Sequence, residues 1–465
     1  MTSLLTPITG ERPIPAFGTD GVRGRFGEFP VDASGFFALG AAFAELLLTS
    51  FATPDIVVGR DTRESSPTLE SAFADGARSR GVQVTLIGVA PSSAVSYLTS
   101  SLGFDGGAMV TASHNPATDN GVKLFGADGV KLSEAQELTI EALAFARPSG
   151  TNGHIRGGAV LRAASLLDGY IDFLRTSLPT NGALRGSKLV IDCANGAASD
   201  VARRVCEPLG INLVGIEDAP NGSNINASCG AVYPERMAER TRSVGARLGL
   251  ALDGDADRAV FADESGNVIQ GDQVLYALAI QAKNTNSPGA NQVVGTILTN
   301  RGLEKALAAK GIRLLRTAVG DRHILAEMRA TGASLGGEAS GHYLFRHALP
   351  VSDGFYTCLT LLGDLLRSPG SAVPHFEPTH QVALNLPLER SLSYEQLAAC
   401  ERIAALAAAE LGSSGRIVVR PSGTEPLLRI MVDADEPEIA YRASSSLRDS
   451  LFMIVERRHP SIRSV

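Results

Sequence analysis

A chain of 465 residues is longer than one hydrophobic core usually supports, so several domains are expected. Its net charge of −7 comes with no compensating basic tract, which argues against a nucleic-acid partner. Five cysteines (Cys193, Cys206, Cys229, Cys358 and Cys400) include no CxxC pair, which fits a reducing compartment and neither a disulfide framework nor a zinc site. Residues 1–13 show no basic stretch followed by an apolar run. The most apolar stretch, residues 36–52, contains Glu45, is shorter than a membrane span and reads as a buried helix. A soluble, cytoplasmic protein without membrane contact is the expectation.

The first notable stretch is Phe17-Gly18-Thr19-Asp20-Gly21-Val22-Arg23-Gly24. Its glycines allow the backbone to approach a ligand, and Arg23 offers a planar set of donors suited to a phosphate. Taken alone it is a surface turn.

A strand, loop, helix, glycine and strand pattern then occurs three times: residues 55–58 with Gly81 and 82–87, residues 188–192 with Gly210 and 211–216, and residues 292–298 with Gly311 and 312–317. Glycine is the residue best suited to the left-handed helix stop. Such units build parallel sheets with right-handed crossovers, so three related α/β domains are expected.

Between the first and second copies lies Thr111-Ala112-Ser113-His114-Asn115-Pro116. The apolar run 108–110 reads as a buried strand, and Asn115-Pro116 as a turn. Ser113 therefore stands at a strand end, where α/β proteins place their chemistry, and a serine beside a histidine is a candidate nucleophile. A turn-capping serine is the plain alternative. Asp119-Asn120-Gly121 is a turn signal, followed by residues 122–125, a second turn at 127–129 and residues 130–132, which together predict a hairpin beside Ser113. Alternation puts Lys123 and Phe125 on one face and Val122 and Leu124 on the other. Lys123 is a candidate general acid/base or phosphate clamp, or else a solvated lysine.

In the second copy an apolar strand, 248–252, runs into Asp253-Gly254-Asp255-Ala256-Asp257-Arg258. Three carboxylates at alternate positions would repel without a cation, and oxygen ligands alone select Mg²⁺, Mn²⁺ or Ca²⁺. An EF-hand is disfavoured because Arg258 stands where that loop needs glycine and the flanks read as strands. In the third copy, Glu338 and Ser340 in Gly336-Gly337-Glu338-Ala339-Ser340-Gly341-His342 are placed to hydrogen-bond neighbouring hydroxyls, as carbohydrate recognition requires.

Residues 368–378 read as a linker, after which helix and antiparallel-strand patterns replace the repeat. Strands at 417–419 and 427–432 flank Arg420-Pro421-Ser422-Gly423-Thr424-Glu425-Pro426, where an arginine, two hydroxyls and the N–H groups around a glycine form an anion nest suited to phosphate.

These five stretches, 17–24, 111–116, 253–258, 337–342 and 420–426, resemble the motifs of the phosphohexomutase superfamily, in order and over nearly the whole chain. The opening 17–20, Asp119-Asn120-Gly121, and Asn224-Ile225-Asn226 followed by Cys229-Gly230 are most similar to its amino-sugar branch, with Ala339 where that branch usually has glutamine. The resemblance implies an α/β fold of four domains around a central cleft: three similar α/β domains with mixed, mostly parallel sheets, then a C-terminal α+β domain. Expected boundaries are 1–165 with the phosphoserine loop, 166–265 with the metal loop, 266–370 with the sugar loop and 371–465 with the phosphate loop.

It implies an intramolecular phosphotransferase that interconverts glucosamine 6-phosphate and 1-phosphate, with glucose or mannose phosphates as the alternative substrates. Ser113 would carry a phosphoryl group and complete a Mg²⁺ site with Asp253, Asp255 and Asp257, one ion per chain. Arg420, Ser422, Gly423 and Thr424 would hold the sugar's own phosphate, and Glu338 and Ser340 its hydroxyls. Arg23, His114, Lys123, Arg258 and His342 would supply charge and proton transfer. A bisphosphorylated sugar would be the intermediate or activator, and a homodimer is compatible with the resemblance. A phosphatase, or a phosphosugar-binding regulator without turnover, are the rival readings; Ser113, the three aspartates and Lys123 weigh against the regulator.

Overall fold

The structure is a computed structural model that describes residues 17–18, 20–145, 157–177, 182–367, 372–388, 392–421 and 426–455. The three repeats build three sheets on one plan. In the first, Asp55–Arg60 pairs in parallel with Gln83–Val89 on one side and Gly106–Val110 on the other, and Asp119–Gly126 runs antiparallel to Gly106–Val110. The second repeats this with Lys188–Asp192, Asn212–Ile216, Leu248–Leu252 and Ala259–Ala262. The third uses Gln292–Thr296, Arg313–Thr317, Leu335–Gly337 and Tyr343–Phe345. Further strands widen the first sheet to seven and the second to five, while the third has four.

The helices Ser66–Ser79, Ala198–Cys206 and Arg301–Ala309 make the crossovers, and Gly81, Gly210 and Gly311 follow them at φ +90°, +73° and +68°. Residues 36–52 lie mostly in the helix Ala33–Leu48, whose N-terminus Asp32 caps by accepting from the Gly35 N–H at 2.7 Å. One consequence of the shared plan governs function. The Ser113, Asp253–Asp257 and Glu338–His342 loops all join the third strand of a unit to its antiparallel fourth. Each is thus presented at the carboxyl end of a buried strand.

The hairpin expected after Ser113 is different in form. Asp119–Gly126 is an interior strand, antiparallel to Gly21–Arg25 as well as to Gly106–Val110. Asp119-Asn120-Gly121 is therefore part of the ladder and not a turn. The Asn120 amide donates to Ser65 Oγ at 2.8 Å and Ser66 Oγ at 3.0 Å, so its side chain joins neighbouring elements together. Gly121 is needed for close approach, because a Cβ there would lie 2.2 Å from the Val22 carbonyl oxygen. The return segment at 130–132 is reduced to one bridge, Lys131 with Phe125. The alternation holds: Phe125 packs with Met109 in one core, and Val122 and Leu124 in another on the opposite face.

The largest apolar core runs without a break from Val57 and Met109 of the first sheet, through Ile191 and Leu250 of the second, to Leu335 and Phe355 at the third. The C-terminal unit has its own core around Leu428, Ile430, Leu447 and Leu451. There His380–Pro387 and Gly415–Pro421 flank Leu427–Ala434, both antiparallel, under the helices Tyr394–Leu411 and Pro437–Val455. The linker residues 372–378 have no regular structure, and residues 368–371 lie outside the described set. All five cysteines are buried and unpaired. Among the described residues no helix is long and apolar enough to cross a membrane.

Candidate active site

Ser113 is almost wholly buried and holds φ +52°, a region that a non-glycine residue occupies only when its surroundings enforce it. The enforcing groups come from the loop after Asp55–Arg60. Asp61 accepts from Thr111 Oγ1 at 2.8 Å, Ser66 Oγ at 2.7 Å and Arg63 Nε at 2.9 Å. The buried Arg63 then donates to the carbonyl oxygens of Ser113 (3.0 Å), Asn115 (2.8 Å), Asp119 (2.9 Å) and Pro116. Thr111 Oγ1 accepts from the Ser113 N–H at 2.9 Å. With its backbone held this way, Ser113 Oγ donates to Asp253 Oδ2 at 2.6 Å and lies 3.3 Å from His114 Nδ1.

Asp253, Asp255 and Asp257 are buried, with one oxygen of each within 4.8 Å of the others. Asp253 Oδ1 accepts from the Arg258 N–H at 3.0 Å, and Asp255 Oδ2 accepts from Ser92 Oγ. Lys123 Nζ reaches Asp257 at 2.5 Å, Asp255 at 2.7 Å and Asp20 at 3.0 Å. Asp20 also takes Arg23 and Lys131, and Lys131 continues to Asp321 at 2.7 Å. Asp255 Oδ1 is buried with no hydrogen-bond partner. An orphaned carboxylate oxygen inside an all-oxygen cluster fits a hard divalent cation and does not fit zinc.

Electrostatics divide these groups by charge. Burial and the repulsion of Asp255 and Asp257 push Asp253 up to about 7. Burial acts the same way on Asp257, but Lys123 and His342 outweigh it and hold that carboxyl well below its usual range. Burial opposes the charge on Lys123; Asp20, Asp255 and Asp257 overcome it and keep the amine an ammonium. His342 is pulled the same way, burial being outweighed by Asp257 at 3.2 Å and Glu338 at 2.9 Å, which raise it to about 10. Burial works against Glu338 ionising, yet His342 and Ser340 bring it down to about 2. His114 goes the other way: burial, Arg258 and Arg23 lower it to about 4, so its imidazole is neutral at pH 7.

A cleft of about 680 Å³ collects Arg23, His114, Arg258, Glu338, Ser340 and His342 along its wall. The Nε atoms of Arg23, Arg258 and Arg420 are shielded from solvent and have no hydrogen-bond partner, although Arg23 already pairs with Asp20 through its terminal nitrogen. Arg420 lies on Gly415–Pro421 opposite Arg429; burial and Arg429 lower its pKa, while Glu338 is near enough to act against them. Ser422, Gly423 and Thr424 lie outside the described residues. Of the expected site residues, Arg23, His114, Arg258, Glu338, Ser340 and His342 line this cleft from the first three units, Ser113, Lys123 and the three aspartates are bonded to them or to one another, and Arg420 of the C-terminal unit is near enough to Glu338 to feel its charge. Asp20, Asp61, Arg63, Ser92, Lys131 and Asn226 are also part of the arrangement, and sequence reasoning assigned them no role. The polar loop 59–63 after a strand was the available signal for two of them.

Family descriptions match four consecutive segments. These are the alpha/beta/alpha domains I, II and III of phosphoglucomutase/phosphomannomutase at residues 15–150, 168–266 and 270–374, and its C-terminal domain at 384–449. The chain belongs to the phosphoglucomutase/phosphomannomutase family. Among curated relatives, a phosphoglucosamine mutase of Chelativorans sp. (strain BNC1) is 40% identical over 94% of this chain and 97% of its own length. One from Rhodospirillum rubrum is 41% identical over 90% and 94%. A crystal structure of a family protein from Burkholderia thailandensis superposes with a TM-score of 0.80 at 26% identity, covering 96% of this chain and 99% of that one. In this family's terms, the three sheets built on one plan are domains I to III, and the antiparallel unit with its separate core is the C-terminal domain.

Proposed function

We propose that this family member is a phosphoglucosamine mutase, interconverting glucosamine 6-phosphate and glucosamine 1-phosphate through a phosphorylated Ser113 and a bisphosphorylated sugar. The observation that carries the reading is Ser113 Oγ, buried at a strand end 2.6 Å from a cluster of three buried carboxylates. The full-length curated relatives named for that activity support the choice of sugar.

Asp253, Asp255 and Asp257 would hold Mg²⁺, which offsets the charge of a phosphoryl group that carries roughly −1.5 to −2 at neutral pH. The protein's own residues do the rest by position and charge. Lys123 and His342, both cations here, face the same point from the first and third units and would stabilise charge on the transferred group. When a phosphate returns from the sugar, Ser113 must give up its hydroxyl proton. With Asp253 committed to the cation, the neutral His114 Nδ1 at 3.3 Å is the acceptor in reach. Arg420, with Ser422, Gly423 and Thr424, would grip the phosphate that is not reacting, and Glu338 and Ser340 the ring hydroxyls. The same grips then serve both orientations of the sugar. We assign the units to residues 1–165, 166–265, 266–370 and 371–465. A cytoplasmic setting and a homodimer go with the reading, the latter checked by light scattering.

Phosphorus NMR with glucosamine 6-phosphate tests the reaction. The 1-phosphate should appear, excess EDTA should stop it, and Mg²⁺ should restore it. Glucose and mannose phosphates should give lower kcat/KM, the ratio that defines specificity. A higher kcat/KM with either would move the assignment to phosphoglucomutase/phosphomannomutase activity, and release of inorganic phosphate in place of isomerisation would reject the mutase reading.

A further inference from the structure

The segment Asn224-Ile225-Asn226, followed by Cys229-Gly230, has no part in the chemistry above, yet it lies directly beneath it. It belongs to the stretch between the strand Asn212–Ile216 and the helix Glu235–Val244 of the second unit. Asn226 is about nine-tenths buried and holds φ +56°, a conformation asparagine tolerates. Its side-chain amide donates to two carbonyl oxygens of the first unit, Ser113 at 2.8 Å and Asn115 at 3.0 Å. One NH₂ group has two hydrogens, so the match is complete. These carbonyls also receive the Arg63 guanidinium, so the Ser113 loop is held between one donor from its own unit and one from the next.

The asparagine is itself anchored. Its N–H donates to the Ala194 carbonyl at 2.9 Å, and Asp192 accepts from Ala194 N–H at 2.8 Å and Gly230 N–H at 3.0 Å. Two more bonds join the units beside it: Thr62 Oγ1 to the Asn195 carbonyl at 2.6 Å, and Glu64 N–H to the Gly222 carbonyl at 2.9 Å. The carboxylate loop touches the same spot. A Cβ on Gly254 would meet the Ser113 carbonyl oxygen at 2.6 Å, Ile225 Cδ1 at 2.9 Å and Asn226 Nδ2 at 3.1 Å. Asn226 thus bonds the loop that carries Ser113 and, together with the Ser113 carbonyl and Ile225, stands so close to Gly254 of the carboxylate loop that no side chain would fit there.

We infer that Asn226 is a positioning residue that seats the Ser113 loop against the carboxylate loop and so sets the distance and direction between Ser113 Oγ and the three aspartates. The inference rests on Ser113 being the phosphoryl carrier. Among the described residues the Asn226 side chain bonds to none of Glu338, Ser340, Arg420 and Ser113 Oγ, so its expected effect is on transfer and not on substrate binding. A misplacement of about 1 Å at a reacting group costs on the order of a hundredfold in rate.

The test uses Asn226→Asp in the full chain. Aspartate keeps the shape and the tolerance for the left-handed backbone but replaces the donating NH₂ by an oxygen facing two carbonyls. Asn226→Gly, which adopts the same backbone without any donor, provides a second variant should the aspartate not fold. Steady-state kinetics with glucosamine 6-phosphate, single-turnover transfer from phosphorylated Ser113, and melting curves are read together. In a variant that melts within a few degrees of wild type, kcat and the single-turnover rate should both fall about tenfold to a hundredfold, with KM changed less than about threefold. A folded variant with kcat within twofold of wild type, or with KM raised and kcat kept, overturns the inference, as does a kcat loss that merely tracks the unfolded fraction. Wild type and Ser113→Ala run alongside. If wild type carries no phosphate on Ser113 and Ser113→Ala turns over normally, the proposed function fails; if those controls behave and the Asn226 variants keep kcat, only the role of Asn226 fails.

Discussion

The two walls of the cleft are attached to the molecule in different ways. The wall that carries Ser113, Lys123, the three aspartates and His342 grows out of a single apolar core shared by three sheets, and its polar groups bond to one another across units. The side that carries Arg420 belongs to a unit with a separate core, although Phe376 of the preceding linker reaches into the shared one and packs against Tyr276. That unit meets the third sheet through polar bonds centred on the buried Asp433. Asp433 accepts from the Arg301 N–H of the third unit at 2.8 Å and from Gln381 (3.1 Å) and Thr379 of its own unit, and beside it Arg416 donates to the Thr299 carbonyl at 2.9 Å and Asn300 Nδ2 to the Thr379 carbonyl at 3.0 Å. Arg301 and Lys305 add ion pairs to Asp435 at 2.8 and 2.5 Å. Apolar burial resists opening, whereas polar bonds exchange for water at small net cost, and polar inter-domain contacts normally permit relative motion. The contrast suits a reaction whose chemical centre must stay fixed while the sugar it holds is turned round.

If the contrast is right, damage to one wall should leave the other's function intact. The largest effect is expected from Ser113→Ala, which should lower mutase kcat on the order of a thousandfold or more by removing the carrier. Peptide mass spectrometry should find phosphate on Ser113 in at least part of the wild-type protein. Glucosamine 6-phosphate affinity of the variant, measured by calorimetry, should stay within a few-fold of wild type.

Arg420→Ala attacks the opposite wall. Charged hydrogen bonds are worth about 1.5–3 kcal/mol each, so kcat/KM should drop tenfold to a hundredfold with both the 1- and the 6-phosphate. Ser113 should remain phosphorylated in the variant. An unchanged kcat/KM would mean that the loop at 420–426 is an ordinary turn.

Asp433→Asn touches no substrate and tests the attachment itself. Loss of roughly one charged hydrogen bond should loosen the C-terminal unit and lower kcat/KM by about tenfold, chiefly through KM. The single-turnover transfer rate at saturating sugar should hold. Equal loss of both would show that the two walls are coupled more tightly than their separate cores imply.

The smallest effect concerns pH. His342 titrates near 10 in the fold against an ordinary 6.5, because Asp257 and Glu338 outweigh its burial. A raised folded-state value contributes stability that is complete below pH 6.5, declines above it and is gone past about 10. The Tm gap between wild type and His342→Gln, measured in chelator, should therefore be widest at or below pH 6.5 and close by about pH 10. A constant gap across that range would mean that His342 is not charged in its pocket.

Much of this protein is local in origin and was legible along the chain. Repeated apolar strands, the glycines Gly81 and Gly311 directly after their helices (Gly210 stands further on, past the cap Glu207), and the alternation of Asp253, Asp255 and Asp257 depend only on neighbouring residues. The acidic cluster was readable because three carboxylates at a buried strand end need a partner wherever they fold. Asp119-Asn120-Gly121 misled because the same residues that favour a turn also permit close strand contact, and only the presence of Gly21–Arg25 alongside decided between them. Tertiary structure alone could reveal that Lys123 lies against aspartates 132 to 134 residues away, or that Arg63 and Asn226 share the Ser113 carbonyl. It also sets the charge states, with His114 neutral and His342 cationic. Those states depend on burial and on charges brought close by packing, and Coulomb energy depends on distance in space and on the surrounding dielectric, not on separation along the chain.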